Sequence, residues 1–167
     1  DLTVKDGTTT LTKGTDYSLA FSNNTNAGTA TITLSGKGNY TGTRTVNFTI
    51  TAKPVTITPA AGSKTYGDND PTFGYTSSVT GITFTGALSR DSGEDVGSYN
   101  FKLGTLSAGS NYELALATGS KFSITARNVT ALSIDAVADK TYTGSAISPD
   151  LTVKDGTTTL TKGTDYS

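Results

Sequence analysis

Apolar and polar residues alternate with a period of two in short stretches along this chain. In "TATITLSG" (Thr29–Gly36), Ala30, Ile32 and Leu34 share one face, with threonine and serine on the other. "RTVNFTI" (Arg44–Ile50) alternates through Val46, Phe48 and Ile50, and "SYNFKLG" (Ser98–Gly104) through Tyr99, Phe101 and Leu103. "KFSIT" repeats the pattern from Lys121 to Thr125. A period of two marks strands with one buried and one wet face. Clusters such as "SNNTNAG", "GKGN", "GDNDP" and "DSGED" separate them and supply turns. No stretch combines helical spacing with caps. Strands every 8–12 residues or so predict an all-β chain of β-sandwich modules.

Repetition organises these strands. "DLTVKDGTTTLTKGTDYS" occupies positions 1–18 and returns unchanged at 150–167, an offset of 149 residues. A fainter echo lies inside that period: "KTY" at Lys64 and Lys140, "FTITAK" from Phe48 answered by "FSITAR" from Phe122, "GNY" at Gly38 answered by "SNY" at Ser110. Two divergent modules of roughly 75 residues therefore make one period. Residues 53–126 read as one complete module, B. Residues 1–52 read as the C-terminal part of a module A, and 127–167 as the N-terminal part of the next. The expectation is one complete central module flanked by two partial ones, as slightly more than one period of a longer array.

Composition sharpens this. Threonine occurs 35 times and glycine 19 times, which suits strands with a wet face joined by tight turns. Only 34% of residues are hydrophobic, the level expected of thin modules with narrow cores. A net charge of −1 without a basic stripe argues against a nucleic-acid partner. No apolar run approaches the roughly 18 residues of a membrane helix, so no membrane insertion is expected in this segment. Cysteine, methionine, tryptophan and histidine are all absent. Disulfides are thereby excluded, and so are the Ser-His and Cys-His arrangements of nucleophilic enzymes. No enzyme activity and no cofactor are expected. The lack of oxidisable residues fits either an extracellular life or the habit of Thr/Gly-rich repeats.

Other chemistry has candidates. Asp68 and Asp70 in "GDND" and Asp91, Glu94 and Asp95 in "RDSGED" offer oxygens for calcium, though neither spacing matches an EF-hand loop; as turn caps they would stay solvated. Tyr17, Tyr75 and Phe84 are candidates for a carbohydrate platform, or for core packing. Asn23, Asn39, Asn47 and Asn128 head N-x-[ST] sequons, which arise by chance in a threonine-rich chain. Lys37 and Asn39 carry the residue types of an intramolecular crosslink but are merely neighbours in sequence.

Module B resembles the MBG domains, "mostly bacterial" immunoglobulin-like modules of large surface proteins. The residues that carry this are "KTYGDNDP" (Lys64–Pro71), "GALSRDSGEDVGSY" (Gly86–Tyr99), "GTLS" (Gly104–Ser107), "NYEL" (Asn111–Leu114) and "FSIT" (Phe122–Thr125). Module A is similar to related tandem repeats of bacterial cell-surface proteins through "VKDGTTTLTKGTDYSLAFSNNTNAGTATITLSGKGNYTGT" (Val4–Thr43). The resemblance implies tandem Ig-like sandwiches used as an extracellular stalk or adhesin segment, and no catalytic site. Within these motifs Gly67, Gly93 and Gly97 are expected at turns or bulges, with Pro71 closing the first motif. Tyr66 and Tyr99 are expected to bury their rings, and Tyr40 and Tyr112 to occupy equivalent corners.

Two functions follow as expectations: a spacer projecting a distal domain from the cell, or an adhesive module binding a host glycan, mucin or protein through repeated contacts. The expected partners are neighbouring repeats, or head-to-tail copies joined by strand complementation.

Overall fold

A computed structural model describes residues 2–167; Asp1, the first residue of the segment 1–52, lies outside the described residues. The described chain is all-β, with short strands in several sheets and a 3-10 turn at Val129–Ala131. Two compact units divide it. One comprises Asp1–Gly62, Thr72–Ser92 and Tyr99–Phe122, and the other Ser63–Pro71, Gly93–Ser98 and Ser123–Ser167. Each unit draws residues from the central segment 53–126.

The first unit begins with a hairpin of β1 (Lys5–Asp6) and β2 (Thr9–Thr10), followed by β3 (Tyr17–Ser22), β4 (Gly28–Gly36) and β5 (Thr43–Ile50). These last three form an antiparallel sheet with β4 in the middle. Register sorts the side chains. Leu19 faces Leu34, Phe21 faces Ile32, Ile32 faces Val46, and Ala30 faces Phe48, so these residues share one apolar side. Thr31, Thr33, Thr45 and Asn47 share the other, where Thr31 Oγ1 donates to Asn47 Oδ1 at 2.9 Å. The alternation predicted a buried apolar face here. Instead Phe21, Val46 and Phe48 remain 40–50% exposed, while Ala30 on the same side is fully buried.

Further along come β6 (Lys53–Pro59), β7 (Gly62–Thr65), β8 (Tyr75–Ser77), β9 (Ser89–Arg90), β10 (Gly97–Lys102), β11 (Tyr112–Leu116) and β12 (Lys121–Thr125). They make a three-stranded sheet, β11–β6–β8, and a four-stranded one, β7–β12–β10–β9. β6 runs parallel to β11 from Lys53↔Tyr112 to Ile57↔Leu116, and antiparallel to β8. Both prolines of β6 sit where only one neighbour is paired: Pro54 opposes Glu113 of β11, and Pro59 opposes Tyr75 of β8. A missing N–H is tolerated there.

Val55 and Ile57, on the inward side of β6, pack with Leu88 and Leu106, ringed by Phe73, Tyr75, Phe84 and Leu114. Phe122 is fully buried and meets Phe73 edge-on, with ring centroids 5.2 Å apart. Burying each such side chain contributes roughly 1.5–3 kcal/mol. Gly86 is a close approach of backbones: its φ is +74°, and a Cβ there would lie 2.1 Å from the Thr105 carbonyl oxygen. Only glycine fits.

In the second unit β13 (Ser133–Ile134), β14 (Val153–Asp155) and β15 (Thr158–Thr159) form an antiparallel sheet. The duplicated words fold alike in both units. Lys154↔Thr159 repeats Lys5↔Thr10, and Leu160 N–H donates to Val153 O at 2.9 Å as Leu11 N–H does to Val4 O. Asp16 and Asp165 each accept a backbone N–H at 2.7 Å, from Thr12 and Thr161. Burial differs between the copies. Val153, beside β13, is buried while Val4 is half-buried; Tyr17, leading into β3, is buried while Tyr166 is half-buried.

Candidate functional site

Two places in the chain bind consecutive segments together through side chains. The first lies in the first unit, where only Thr51 and Ala52 separate β5 from β6. Asn111, in the turn before β11, accepts the Ala27 N–H at 2.7 Å and donates its amide to Asn26 Oδ1 at 3.0 Å. Its main-chain carbonyl accepts the Lys53 N–H at 2.9 Å. One asparagine thus ties the turn between β3 and β4 to the entry of β6.

The second lies in the second unit and centres on Arg127. Its Nε donates to the Tyr66 carbonyl at 2.9 Å, and its Nη2 meets Asp68 Oδ1 at 2.6 Å. Asp155 Oδ2, in the β14–β15 hairpin, lies 3.0 Å from Nε. The planar guanidinium presents several donors in a fixed fork, which a lysine could not reproduce. Gly67 makes room for it, with φ at +86° and a prospective Cβ only 3.2 Å from Nη2. Tyr66, Arg127, Val96, Leu132, Leu160 and Asp165 also border an open recess of about 360 Å³.

Beside Tyr66, the buried ammonium of Lys64 is held by Asp70 at 2.8 Å and by Glu94. The hydrogen bond to Asp70, then that to Glu94, raises the lysine pKa, against burial, which lowers it. Two carboxylates paired with one buried ammonium form an ionic brace. In the first unit Asp91 pairs with Lys102 at 2.9 Å and accepts from Asn100 Nδ2 at 2.9 Å. The Lys102 contact, then the Asn100 amide, lowers its pKa.

The predicted calcium ligands are therefore distributed among cations: Asp68 on Arg127, Asp70 and Glu94 on Lys64, Asp91 on Lys102. Asp95 borders the recess. Among the described residues no three acidic side chains converge as a metal cage would require. Tyr17 is buried, and Tyr75 stands edge-on to Phe84 at 5.6 Å, so these three form no flat platform. Lys37 and Asn39 lie in a turn where the Lys37 carbonyl accepts the Tyr40 N–H.

Tyr66 departs from its expected burial. The residue is 42% exposed, and its main-chain carbonyl makes the contact with Arg127. Tyr99 is half-buried with the Arg90 guanidinium 4.9 Å over its ring. Tyr40 and Tyr112 share a local geometry: each N–H donates to the carbonyl three residues back, Lys37 and Gly109. The Tyr40 hydroxyl donates to Asp6 at 3.3 Å; burial first, then the Asp6 charge, raises its pKa. Gly93 has φ of +129°, Gly97 opens β10 in ordinary extended backbone, and Pro71 ends the stretch 63–71 of the second unit.

Arg127, Asp155, Asn111 and Lys64 were not among the sequence-derived site residues. One signal did exist: the internal repeat sets Lys53 and Arg127 at the same place, after "FTITA" and "FSITA".

Residues 55–123, under half of the chain, match the model of one family, the MBG domain (YGX type). The match lies within the segment 53–126 and contains Tyr66-Gly67, the sole Tyr-Gly pair of the sequence. Neither a curated protein nor a solved structure matches.

Proposed function

We propose that the chain is a non-enzymatic spacer repeat of a large bacterial extracellular surface protein or fibre, made of tandem Ig-like modules that hold a distal domain away from the cell. The family match supports the surface-protein setting. The observation that carries the spacer reading is the two-residue connection Thr51–Ala52 braced by Asn111. A spacer works only if successive modules resist folding back on each other. A flexible Gly/Ser linker lets the end-to-end distance grow as the square root of length, whereas short braced joints let it grow in proportion.

Small-angle scattering on chains of one, two and four 149-residue periods tests this. Maximum dimension is expected to rise by a constant increment, about 60–80 Å per period if each module spans the length of a short-stranded sandwich. An Asn111→Ala, Arg127→Ala double variant should shorten the four-period chain. Growth with the square root of repeat number in the unaltered chain overturns the spacer reading.

A further inference from the structure

We propose that Lys64 and Asp70 condense into an internal amide, with Glu94 relaying the proton, so that the ion pair described above is the reactant of a covalent crosslink. The first observation is the lysine itself. Among the described residues Lys64 is the one charged side chain that is buried, 5% exposed, and it stands on β7. The other lysines that pair with acids are more open: Lys102 is 60% exposed, Lys154 34% and Lys162 65%. Burial disfavours the ammonium and is the usual route to a nucleophilic lysine.

The second observation is that two carboxylates attend one ammonium, all three within the second unit. Asp70 Oδ1 lies 2.8 Å from Nζ, and Nζ also donates to Glu94. One carboxyl can therefore be the electrophile and the other the proton carrier. Their surroundings assign the roles. The Asp70 side chain is 33% exposed and the Glu94 side chain 65%. The drier carboxyl more readily takes up the proton that makes it an electrophile, and the wetter one stays an anion. Asp70 also precedes Pro71, whose nitrogen carries no hydrogen. Closure of an activated aspartyl carboxyl onto the next main-chain N–H, which gives a cyclic imide, is blocked there. At Asp6–Gly7 and Asp155–Gly156 it is open.

The third observation is how firmly the partners are placed. Thr125 ties β7 to β12: its Oγ1 donates to the Lys64 carbonyl at 3.2 Å, and its own carbonyl accepts the Tyr66 N–H at 2.8 Å. The turn leading to Asp70 is closed by Asp68 N–H donating to the Thr65 carbonyl at 3.0 Å, and Arg127 pins the Asp68 side chain. Groups so oriented react as though at about 10⁵–10⁸ M, which offsets the excess of water against which an amide must form.

Atoms and protons balance. Nζ gives one proton to Asp70, leaving a neutral amine beside a neutral carboxyl. Both carboxylates favour the ammonium at rest, so this transfer is uphill. The nitrogen lone pair attacks Cγ and the N–C bond forms. Glu94 takes a second proton from nitrogen and hands it to a hydroxyl oxygen of the adduct. The C–O bond breaks, one water leaves, and Glu94 returns to its carboxylate. No oxidant or co-reactant enters. The product replaces a buried charge with a neutral amide. An amide nitrogen does not titrate, so any alkaline loss of stability through Lys64 belongs to the unreacted chain. The inference stands apart from the spacer reading, since a crosslink between residues 64 and 70 needs no neighbouring repeat.

Mass spectrometry of the full chain, followed in time from cell-free synthesis, tests the proposal. The unaltered chain should become lighter than its sequence mass by one water. Trypsin should then leave Thr45–Arg90 as one piece, because an acylated Lys64 is not cut and the Lys53–Pro54 bond resists. Lys64→Arg and Asp70→Ala should keep full mass. Glu94→Gln, a change at an exposed side chain, should slow the loss at least about 10²-fold. An unaltered chain that keeps its full mass overturns the proposal. So does a water lost elsewhere, at Asp6–Gly7, at Asp155–Gly156 or between Lys64 and Glu94, and so does an unchanged rate in Glu94→Gln.

Discussion

Replacing Arg127 is the sharpest probe of how the second unit is held together. The guanidinium serves three acceptors: the Tyr66 carbonyl, Asp68 and Asp155. The side chains are 26%, 53% and 24% exposed for Arg127, Asp68 and Asp155, so solvent screens both ion pairs. Each is then worth about 0.2–1 kcal/mol. The bond to the carbonyl adds about 1 kcal/mol. The sum, about 2 kcal/mol, corresponds to roughly a 30-fold change in an opening equilibrium. Arg127→Gln removes the charge and the fork; Arg127→Lys keeps the charge alone. Hydrogen exchange at the Leu160 amide, which bonds Val153 O across the hairpin, reads the effect. Exchange should accelerate by up to about 30-fold in Arg127→Gln and by an intermediate factor in Arg127→Lys. Asp155→Asn in the Arg127→Gln background should add little, because the pair is already broken. Unchanged exchange in Arg127→Gln would refute the reasoning, and full protection in Arg127→Lys would show that charge suffices without the fork.

Phe122→Ala deletes a fully buried ring and should cost about 3–5 kcal/mol. At about 4–8 °C per kcal/mol for a small domain, its melting temperature falls by at least about 12 °C, and a fall below about 5 °C contradicts the packing described. Gly86→Ala drives a Cβ into the Thr105 carbonyl and should unfold the central sheets, whereas Gly97→Ala, with open space around it, should stay within about 0.5 kcal/mol by chemical denaturation. Stability should also fall at both ends of the pH scale. Asp91 has a depressed pKa, so its contribution is complete above its ordinary 3.8 and lost as pH falls through the lower folded value. Lys64 has a raised pKa, so its contribution is complete below its ordinary 10.5 and lost as pH rises through the higher folded value. Asp91→Asn should flatten the acid limb of a pH–melting curve and leave the alkaline limb alone.

Local strand signals were legible in the sequence because a period of two needs only neighbours. The stretches 29–36, 44–50, 98–104 and 121–125 coincide closely with β4, β5, β10 and β12. Pairing was not legible. Nothing in "KPVTITP" or "YELAL" announces that β6 and β11 run parallel, since that choice is made by the path of the chain between them. The exposure of Val46 and Phe48 was hidden for a related reason: alternation states which face wants cover, not whether cover is present. The second unit's clamp escaped because Arg127 gathers acceptors from two stretches far from it in sequence, Tyr66–Asp68 and Asp155, and one acceptor is a main-chain carbonyl that any residue at Tyr66 would supply. Asn111 stood inside the recognised "SNY" echo, yet its role depends on a turn some eighty residues earlier, at Asn26 and Ala27.

The parallel register of β6 with β11 bears on tension. A pull transmitted from β5 reaches the central sheets at Lys53, the first residue of β6, and acts along the strand axis. The bonds from Lys53 to Ile57 run across that axis, so they are sheared together and must fail together. A hairpin pulled open from its end yields one pair at a time. In a single-molecule stretching record, the segment should give way in one abrupt event and not in a gradual peel. Thin modules with few apolar residues can thus be strong along one direction.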